Sequence, residues 1–368
     1  MTPTIVRPFG LLITMVLCSC GRVGGLTPPP GSVPLVLADE SPNYGVWTGQ
    51  IGASDPRDYD QGVFINAIQG LREKSWQYIG IYTEKAIIGL AIVDVGYIGT
   101  MFAYIYDRDT QELWQTEVEP PLAAGIRVDR NVDLGYSTFE NGDQQLRIVN
   151  DIYAGYRHVY LELEKDGKPF KLSVRIQDDF EEVVPLQVVR PTPSETFSFT
   201  HKAAGLPVSG MAQVGDREFT FNPSTDFAAV DYTFGFPAYH TIWNWASMAG
   251  QASDGTMVGL NLVDPIQDNT INENGLWING ELIQLGNARF VFDKNDPMKP
   301  WTIKTDKGHV DLVFTPLGKR AKKINLGILL SIFQQPFGHF SGTVRDANGK
   351  AYGIHKMPGV VEDHEARW

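Results

Sequence analysis

The chain has 368 residues, of which 43% are hydrophobic and 20% charged, enough for two domains of moderate size with a sizeable buried core. Its formal net charge of −12 at pH 7 argues against a nucleic-acid partner and against electrostatic attachment to anionic lipid. Aromatic residues make up 11% and Gly totals 37, a composition that favours β architecture, where rings pack on pleated surfaces and Gly supplies turns.

At the N-terminus, Arg7 gives a positive n-region and Phe9–Leu17 an apolar run too short to cross a bilayer as a mature helix. The run ends in Leu17-Cys18-Ser19-Cys20-Gly21, which resembles a bacterial lipobox. The expectation is a signal peptide over 1–19, cleavage before Cys20 and diacylglycerol on its thiol. An ordinary signal peptide with incidental cysteines is the alternative. Residues 20–42, rich in Gly and Pro, then read as a lipid-anchored tether. Gly21 is not the Asp that favours inner-membrane retention under the lipoprotein sorting rule. The expected address is therefore the outer membrane, on its periplasmic side or at the cell surface. Both cysteines of the chain lie in this segment. No thiol remains for a disulfide, a nucleophile or a metal.

Strand signals follow Tyr44. Trp76–Thr83, Ala86–Val95 and Tyr97–Tyr106 are apolar runs of strand length, interrupted by Gly80, Gly89, Gly96 and Gly99. Val159–Glu164 and Phe170–Gln177 both alternate apolar with polar, and Asp166-Gly167 joins them as a hairpin turn. The spaced prolines of Val189-Arg190-Pro191-Thr192-Pro193-Ser194 suggest a boundary, with one β domain over 43–192 and another over 193–368. The second half repeats the pattern, with turns at Asp254-Gly255, Asn279-Gly280, Asp306-Lys307-Gly308 and Asn348-Gly349. Hairpins with no long helical period predict an all-β meander. A sheet of about eight strands closes into a barrel that either fills with side chains or holds one small ligand.

The densest run of chemistry-bearing residues is Asp231 to Trp277. It includes Asp231-Tyr-Thr-x-Gly235, Thr241-x-Trp-x-Trp-Ala-Ser247, Gly259-Leu-Asn-Leu262 and Glu273-Asn-x-x-Trp277. With Pro300-Trp301, Val310-Asp-Leu-x-Phe314 and the closing Glu362-x-His-x-x-Arg-Trp368, the chain resembles the bacterial domain of unknown function 2804 family. It is more remotely similar to the lipocalin-like carotenoid 1,2-hydratase and hydroxyneurosporene synthase proteins. The resemblance implies two lipocalin-like antiparallel β-barrels in tandem and a hydrophobic, often isoprenoid, ligand. It assigns no catalytic residue.

The residues themselves offer candidates. Asp231 and Glu273 are acids that a dry site would tune, with Tyr232 and His240 to assist. Each also fits a structural role: Asp231 as a cap, His240 as a wall hydrogen bond, Glu273 as an acceptor in the turn before Leu276. Trp243 and Trp245 are two apart and face one side of a strand, with Ser247 next in line. They read as a ligand platform or as core. Asn261, Asn274 and Trp277 read as ligand contacts or as support for irregular backbone. Glu362-Asp363-His364-Glu365 is dense in ligating types, but reads as a tail folding back to close the second barrel, and no metal is expected. No Gly-x-Ser-x-Gly elbow, phosphate loop or dinucleotide fingerprint occurs, so no cofactor is expected. The leading expectation is an envelope lipoprotein binding a lipid or isoprenoid in a barrel lumen around Trp243, Trp245 and Asn261. One alternative is a hydratase, cyclase or isomerase acting by carboxylate acid–base chemistry. The other is a surface carbohydrate-binding or glycan-acting protein.

Overall fold

The apolar runs and Asp-Gly turns become an almost wholly β-stranded chain. The structure, a computed structural model, describes residues 33–48, 72–192, 196–264, 271–325 and 329–368. Cys20, on which the expected lipid anchor depends, lies outside the described residues.

The first sheet begins with β1 (Gly45–Trp47), β2 (Lys74–Tyr82), β3 (Ala86–Asp94), β4 (Gly99–Asp107), β5 (Leu113–Val118), β6 (Ile126–Arg127) and β7 (Leu134–Asn141). It continues with β8 (Gln144–Asp151), β9 (Tyr156–Lys165), β10 (Lys168–Gln177), β11 (Leu186–Thr192), β12 (Thr196–Val214), β13 (Arg217–Phe221) and β14 (Phe227–Gly235). Its spatial order is β5-β4-β3-β2-β14-β12-β10-β9-β8-β7-β6, with β1, β11 and β13 attached through β12 and its neighbours. The β9–β10 turn carries positive φ at both Asp166 (55°) and Gly167 (73°), the conformation that matches strand twist.

The second sheet holds β15 (His240–Gln251), β16 (Met257–Asp264), β17 (Gly275–Ile278), β18 (Glu281–Gln284), β19 (Ala288–Val291), β20 (Trp301–Thr305), β21 (Val310–Asn325), β22 (Leu330–Arg345) and β23 (Ala351–Arg367). Its order is β18-β17-β16-β15-β23-β22-β21-β20-β19. The chain's last strand thus lies between β15 and β22 and joins the two ends of the meander. Each sheet curls into a lipocalin-like barrel, and the two stand in tandem.

The change of sheet falls between Gly235 and His240. The strands from Thr196 to Gly235 pair within the first sheet, beyond the boundary expected near Pro191. That proline sits in β11 opposite Phe197, past the reach of β1, which pairs only with Gln187–Val189. Its missing N–H therefore costs the ladder nothing. β12 bends at Gly205, where φ is +88° and the register with β14 slips. A Cβ at Gly205 would lie 2.1 Å from the sulfur of Met257, and the positive φ is strained for any residue but glycine.

The second barrel is filled. Met248, Leu260, Leu262, Trp301, Phe314 and Phe340 are among the buried side chains that occupy it. The lumen expected to surround Trp243, Trp245 and Asn261 is not there. Strand alternation turns those residues to the outside of the barrel, where Trp245 joins the core of the first sheet.

Inside the first barrel lies a polar cluster for which the sequence carried no signal. Arg157 is fully buried and donates to Asp178 (2.5 Å), Asn150 Oδ1 (2.5 Å) and the Val132 carbonyl (2.8 Å). Its Nη2 lies 3.2 Å from His201 Nε2. Burial, and then the Arg157 charge, push His201 well below its ordinary value, so its Nε2 accepts and its proton sits on Nδ1. Asp133 is buried beside this group with no hydrogen-bond partner on either carboxylate oxygen among the described residues. Burial pushes its carboxyl up to about 7, against the pull of Arg157. A raised carboxyl favours the folded state below its unfolded value and loses that benefit as pH rises towards about 7. The Asp133→Asn variant is expected to melt higher than the parent at pH 8, with the gap closing towards pH 4. Calorimetry at the two pH values reads this, and a gap equal at both would contradict it.

Candidate active site between the barrels

The outer face of the first sheet and the outer face of β15, β22 and β23 pack on each other. Cross-strand register sets the first side as one row: Lys202, Asp231, Tyr78, Ala91, Phe102 and Glu117 are successive partners across β12, β14, β2, β3, β4 and β5. Facing it, Trp245 pairs with Glu362, and Trp243, His364, Phe333 and Lys322 form the adjacent row. Side chains two apart point the same way, so both rows project into the seam.

The seam is aromatic. Tyr78 meets Trp245 edge-on at 5.3 Å between ring centroids, and Tyr104 stacks on Phe337 at 5.4 Å. Trp76 and Trp243 are nearly parallel at 6.3 Å. The Arg320 guanidinium lies 3.8 Å from the Phe102 ring centre and 4.7 Å from that of Phe333. Tyr104 lies flat over Gly89, where a Cβ would come within 2.5 Å of its ring. Trp76, Trp243 and Phe333 are half-buried, so the seam reaches solvent at that end. Its floor is buried.

Glu362 sits on that floor. Its Oε1 accepts from Trp243 Nε1 at 2.8 Å and its Oε2 from Gln335 Nε2 at 3.1 Å. Gln335 is held in this sense by the Tyr104 hydroxyl, which donates to its Oε1 at 3.1 Å. Burial pushes the Glu362 carboxyl up to about 7, and the Asp231 charge adds to the push, while the bond from Trp243 opposes it. The Nδ1 of His364 lies 3.8 Å from Glu362 Oε1. Burial, and then the charge of Arg320, hold His364 down to about 3. It is therefore neutral and does not ionise Glu362. Its Nε2 bonds Ser331 Oγ at 2.9 Å, and its Nδ1 has no hydrogen-bond partner among the described residues.

Asp231 and Glu273 do come together, but around a cation. Lys202 Nζ bonds Asp231 Oδ1 directly and lies 3.1 Å from Glu273 Oε2. Arg190 stands 3.8 Å from the other Glu273 oxygen. Burial raises the Glu273 carboxyl, but Lys202 and Arg190 more than offset it and hold it below the usual range. Asp231 is raised by burial in spite of Lys202. The lysine, likewise offset by its two carboxylates, stays charged.

The two expected assistants stand apart from these acids. Tyr232, one residue from Asp231 on β14, must face the opposite side, and its hydroxyl donates to the Asp129 carbonyl at 2.9 Å inside the first barrel. His240 is exposed and bonds Glu365 at 2.9 Å. Asn261 accepts from Trp245 Nε1 (2.8 Å) and donates to the Glu273 carbonyl (2.7 Å). Asn274 bonds Val263 N and the Gly286 carbonyl, and Trp277 Nε1 bonds the Val184 carbonyl. These three tie irregular backbone in place. Among the described residues no three His, Cys, Asp or Glu side chains form a group that could hold a metal ion.

Glu362, His364, Gln335, Tyr104 and Lys202 were not among the candidates. The available signal was Glu362-x-His364 on one face of a strand that runs to Arg367, just before Trp368. It reads as a tail unless the strand is known to lie mid-sheet.

A family model described as "Domain of unknown function (DUF2804)" matches residues 57–368. No curated protein matches the chain. Among solved structures, the chain is similar to one designated AttH from Nitrosomonas europaea, with 12% identity over 80% of this chain and 93% of that one and a TM-score of 0.46. It is also similar to kievitone hydratase from Nectria haematococca, with 13% identity over 78% of this chain and 88% of that one and a TM-score of 0.49.

Proposed function

The chain belongs to the domain of unknown function (DUF2804) family, whose name assigns no chemistry, and from the seam itself we propose that it binds an apolar, unsaturated small molecule of the lipid or isoprenoid class and protonates it from Glu362. The observation that carries this reading is a buried carboxyl whose pKa is pushed up to about 7 beside half-buried aromatic rings. Such a group keeps its proton near neutral pH and gives it up to a base that enters the same dry site. An alkene is such a base. The proton adds to one carbon, leaving a cation on the other that the faces of Trp243, Phe333 and Trp76 stabilise. Water captures the cation in a hydration, or a proton leaves it in an isomerisation. In the tautomer with its proton on Nδ1, 3.8 Å from Glu362 Oε1, His364 is placed to return a proton to Glu362 while its Nε2 takes one from the Ser331 hydroxyl.

Carriage without chemistry is the second reading, favoured by the way Lys202 locks Asp231 and Glu273 as a structural triad. Organic extraction of the full chain, purified without added lipid, tests both. One recurrent lipid or isoprenoid in the mass spectrum supports a ligand-holding seam. Repeated empty extracts sink it. Incubating that ligand with protein in D₂O then separates the readings, since protonation of a double bond leaves deuterium on carbon and carriage does not.

The proposed setting is the cell envelope, with the chain tethered through Cys20. The Cys20→Ser variant is expected to lose palmitate labelling and to move from the membrane pellet to the soluble fraction. Retention of both in that variant would remove the anchor from the reading.

A further inference from the structure

A second surface, on the far side of the first barrel from the seam, carries a pattern that neither packing nor the proposed chemistry uses. The outward side chains of β7 to β10 form rows across the strands. One row runs Tyr136, Val149, His158, Arg175 and Ser209. The next runs Arg127, Thr138, Arg147, Tyr160, Ser173 and Met211. No acid stands on either row, although the chain as a whole carries −12. Two of the rings are exposed, Tyr156 and His158 are half-buried, and they are ordered against one another. Tyr136 and Tyr160 are 42% and 43% exposed. His158 and Tyr160 are stacked at 5.8 Å with planes 7° apart, and Tyr156 meets His158 at 4.8 Å. The arginines lie against these rings, Arg127 4.6 Å from Tyr136 and Arg175 4.6 Å from Tyr156.

Two of the guanidiniums have carboxylates beside the rows: Arg127 meets Asp129 at 2.8 Å, and Arg147 meets Glu140 at 3.5 Å. The Arg147–Glu140 pair is exposed on both sides, holds little and yields to a better anion, whereas Asp129 is largely buried and keeps part of the Arg127 charge. His158 is pushed down by burial and then by the Arg175 charge, so it stays neutral beside that arginine. A sheet face that only had to stay soluble would mix signs, as the next row does with Glu140, Gln145, Glu162 and Lys171.

We infer that this band is a docking surface for an acidic glycan chain lying across β7 to β10, its sugar faces on Tyr136, His158 and Tyr160 and its carboxylates on Arg127, Arg147 and Arg175. Flat exposed rings stack on the C–H faces of pyranose rings. The planar guanidinium fork matches a carboxylate with two parallel hydrogen bonds. Hydroxyls at Ser173 and Ser209 complete a polar rim. In the mixed row beyond, Glu140 and Glu162 offer an acidic ligand no further cationic contact.

Affinity electrophoresis of the full chain tests this, through gels holding polygalacturonate and, as the neutral comparison, dextran. The expected result is retardation by polygalacturonate alone, weakening as salt is raised. An Arg147→Ala, Arg175→Ala double variant is expected to weaken retention by roughly tenfold for each charged hydrogen-bond partner lost. Tyr160→Ala is expected to weaken it while the salt dependence persists, and the melting temperatures confirm that both variants fold. No retardation at low salt overturns the inference, as does retardation that both variants keep. Equal retardation by immobilised oligothymidylate also overturns it, in favour of a surface for single-stranded nucleic acid.

Discussion

The Glu362→Gln variant is expected to lose turnover of the extracted ligand by roughly 10²–10⁴, the range that a positioned acid supplies, while binding that ligand about as well as the parent. Gln keeps the size of Glu and its oxygen can still accept from Trp243, but its amide nitrogen cannot accept from Gln335 and it has no acidic proton to give. Deuterium from D₂O should then stay out of the product. The pH profile gives a second readout. The acid works in its protonated form, and burial pushes its pKa up to about 7. The parent rate is therefore expected to be flat below that value and to fall tenfold per unit above it. The residual rate of the variant should show no such limb. Turnover in Glu362→Gln equal to that of the parent would remove Glu362 from the chemistry and leave a carrier.

The second large effect concerns stability. Lys202→Met is expected to destabilise the fold by roughly 3–5 kcal/mol, the usual cost of removing one partner from a buried ion pair. Lys202 is 3% exposed and holds both Asp231 and Glu273. Without it, two buried carboxylates face each other with only the distant Arg190 to offset them. Because Lys202 and Asp231 belong to the first sheet and Glu273 to the loop before β17 of the second, the loss should also loosen the join between barrels. A Lys202→Met, Asp231→Leu, Glu273→Gln triple variant is expected to recover most of the lost stability, since no charge is then stranded. Urea unfolding measures both. A Lys202→Met midpoint equal to that of the parent would mean that the triad is wet and weakly coupled.

Much of the fold was readable residue by residue. Strict alternation at Val159–Glu164 and Phe170–Gln177 named a half-buried hairpin, and its Asp-Gly turn has the positive φ values that such a turn needs. Around Tyr78 and Tyr104 the sequence ran apolar without alternation. That is what a strand covered on both faces looks like, and here one face is the first barrel's core and the other is the seam. The strands after Pro191 pair within the first sheet, because a proline fits an unpaired strand side, as Pro191 does in β11, as well as it fits a linker.

The candidate site was legible only in part. Asp231, Glu273, Trp243 and Trp245 are all at the join of the barrels, yet their roles were not written in their spacing. Tyr232 is next to Asp231 in the chain and on the opposite face of the strand in space. Glu362 read as part of a tail folding back to close the second barrel, and β23 does pair there with β15 and β22, but nothing local shows that its side chain faces the first sheet.

The sequence by itself determined the all-β class, the hairpin turns and which side chains share a strand face, because these follow from a two-residue period and from φ angles that a few residue types accept. Tertiary structure alone decided which faces meet, which carboxylate keeps its proton and which is pinned by lysine. Those outcomes depend on water excluded by strands far apart in the chain: β4, β15, β22 and β23 surround Glu362, and β12 brings Lys202 to Asp231 and Glu273. Desolvation and Coulomb energy are set by distance in space, and no local pattern encodes that distance.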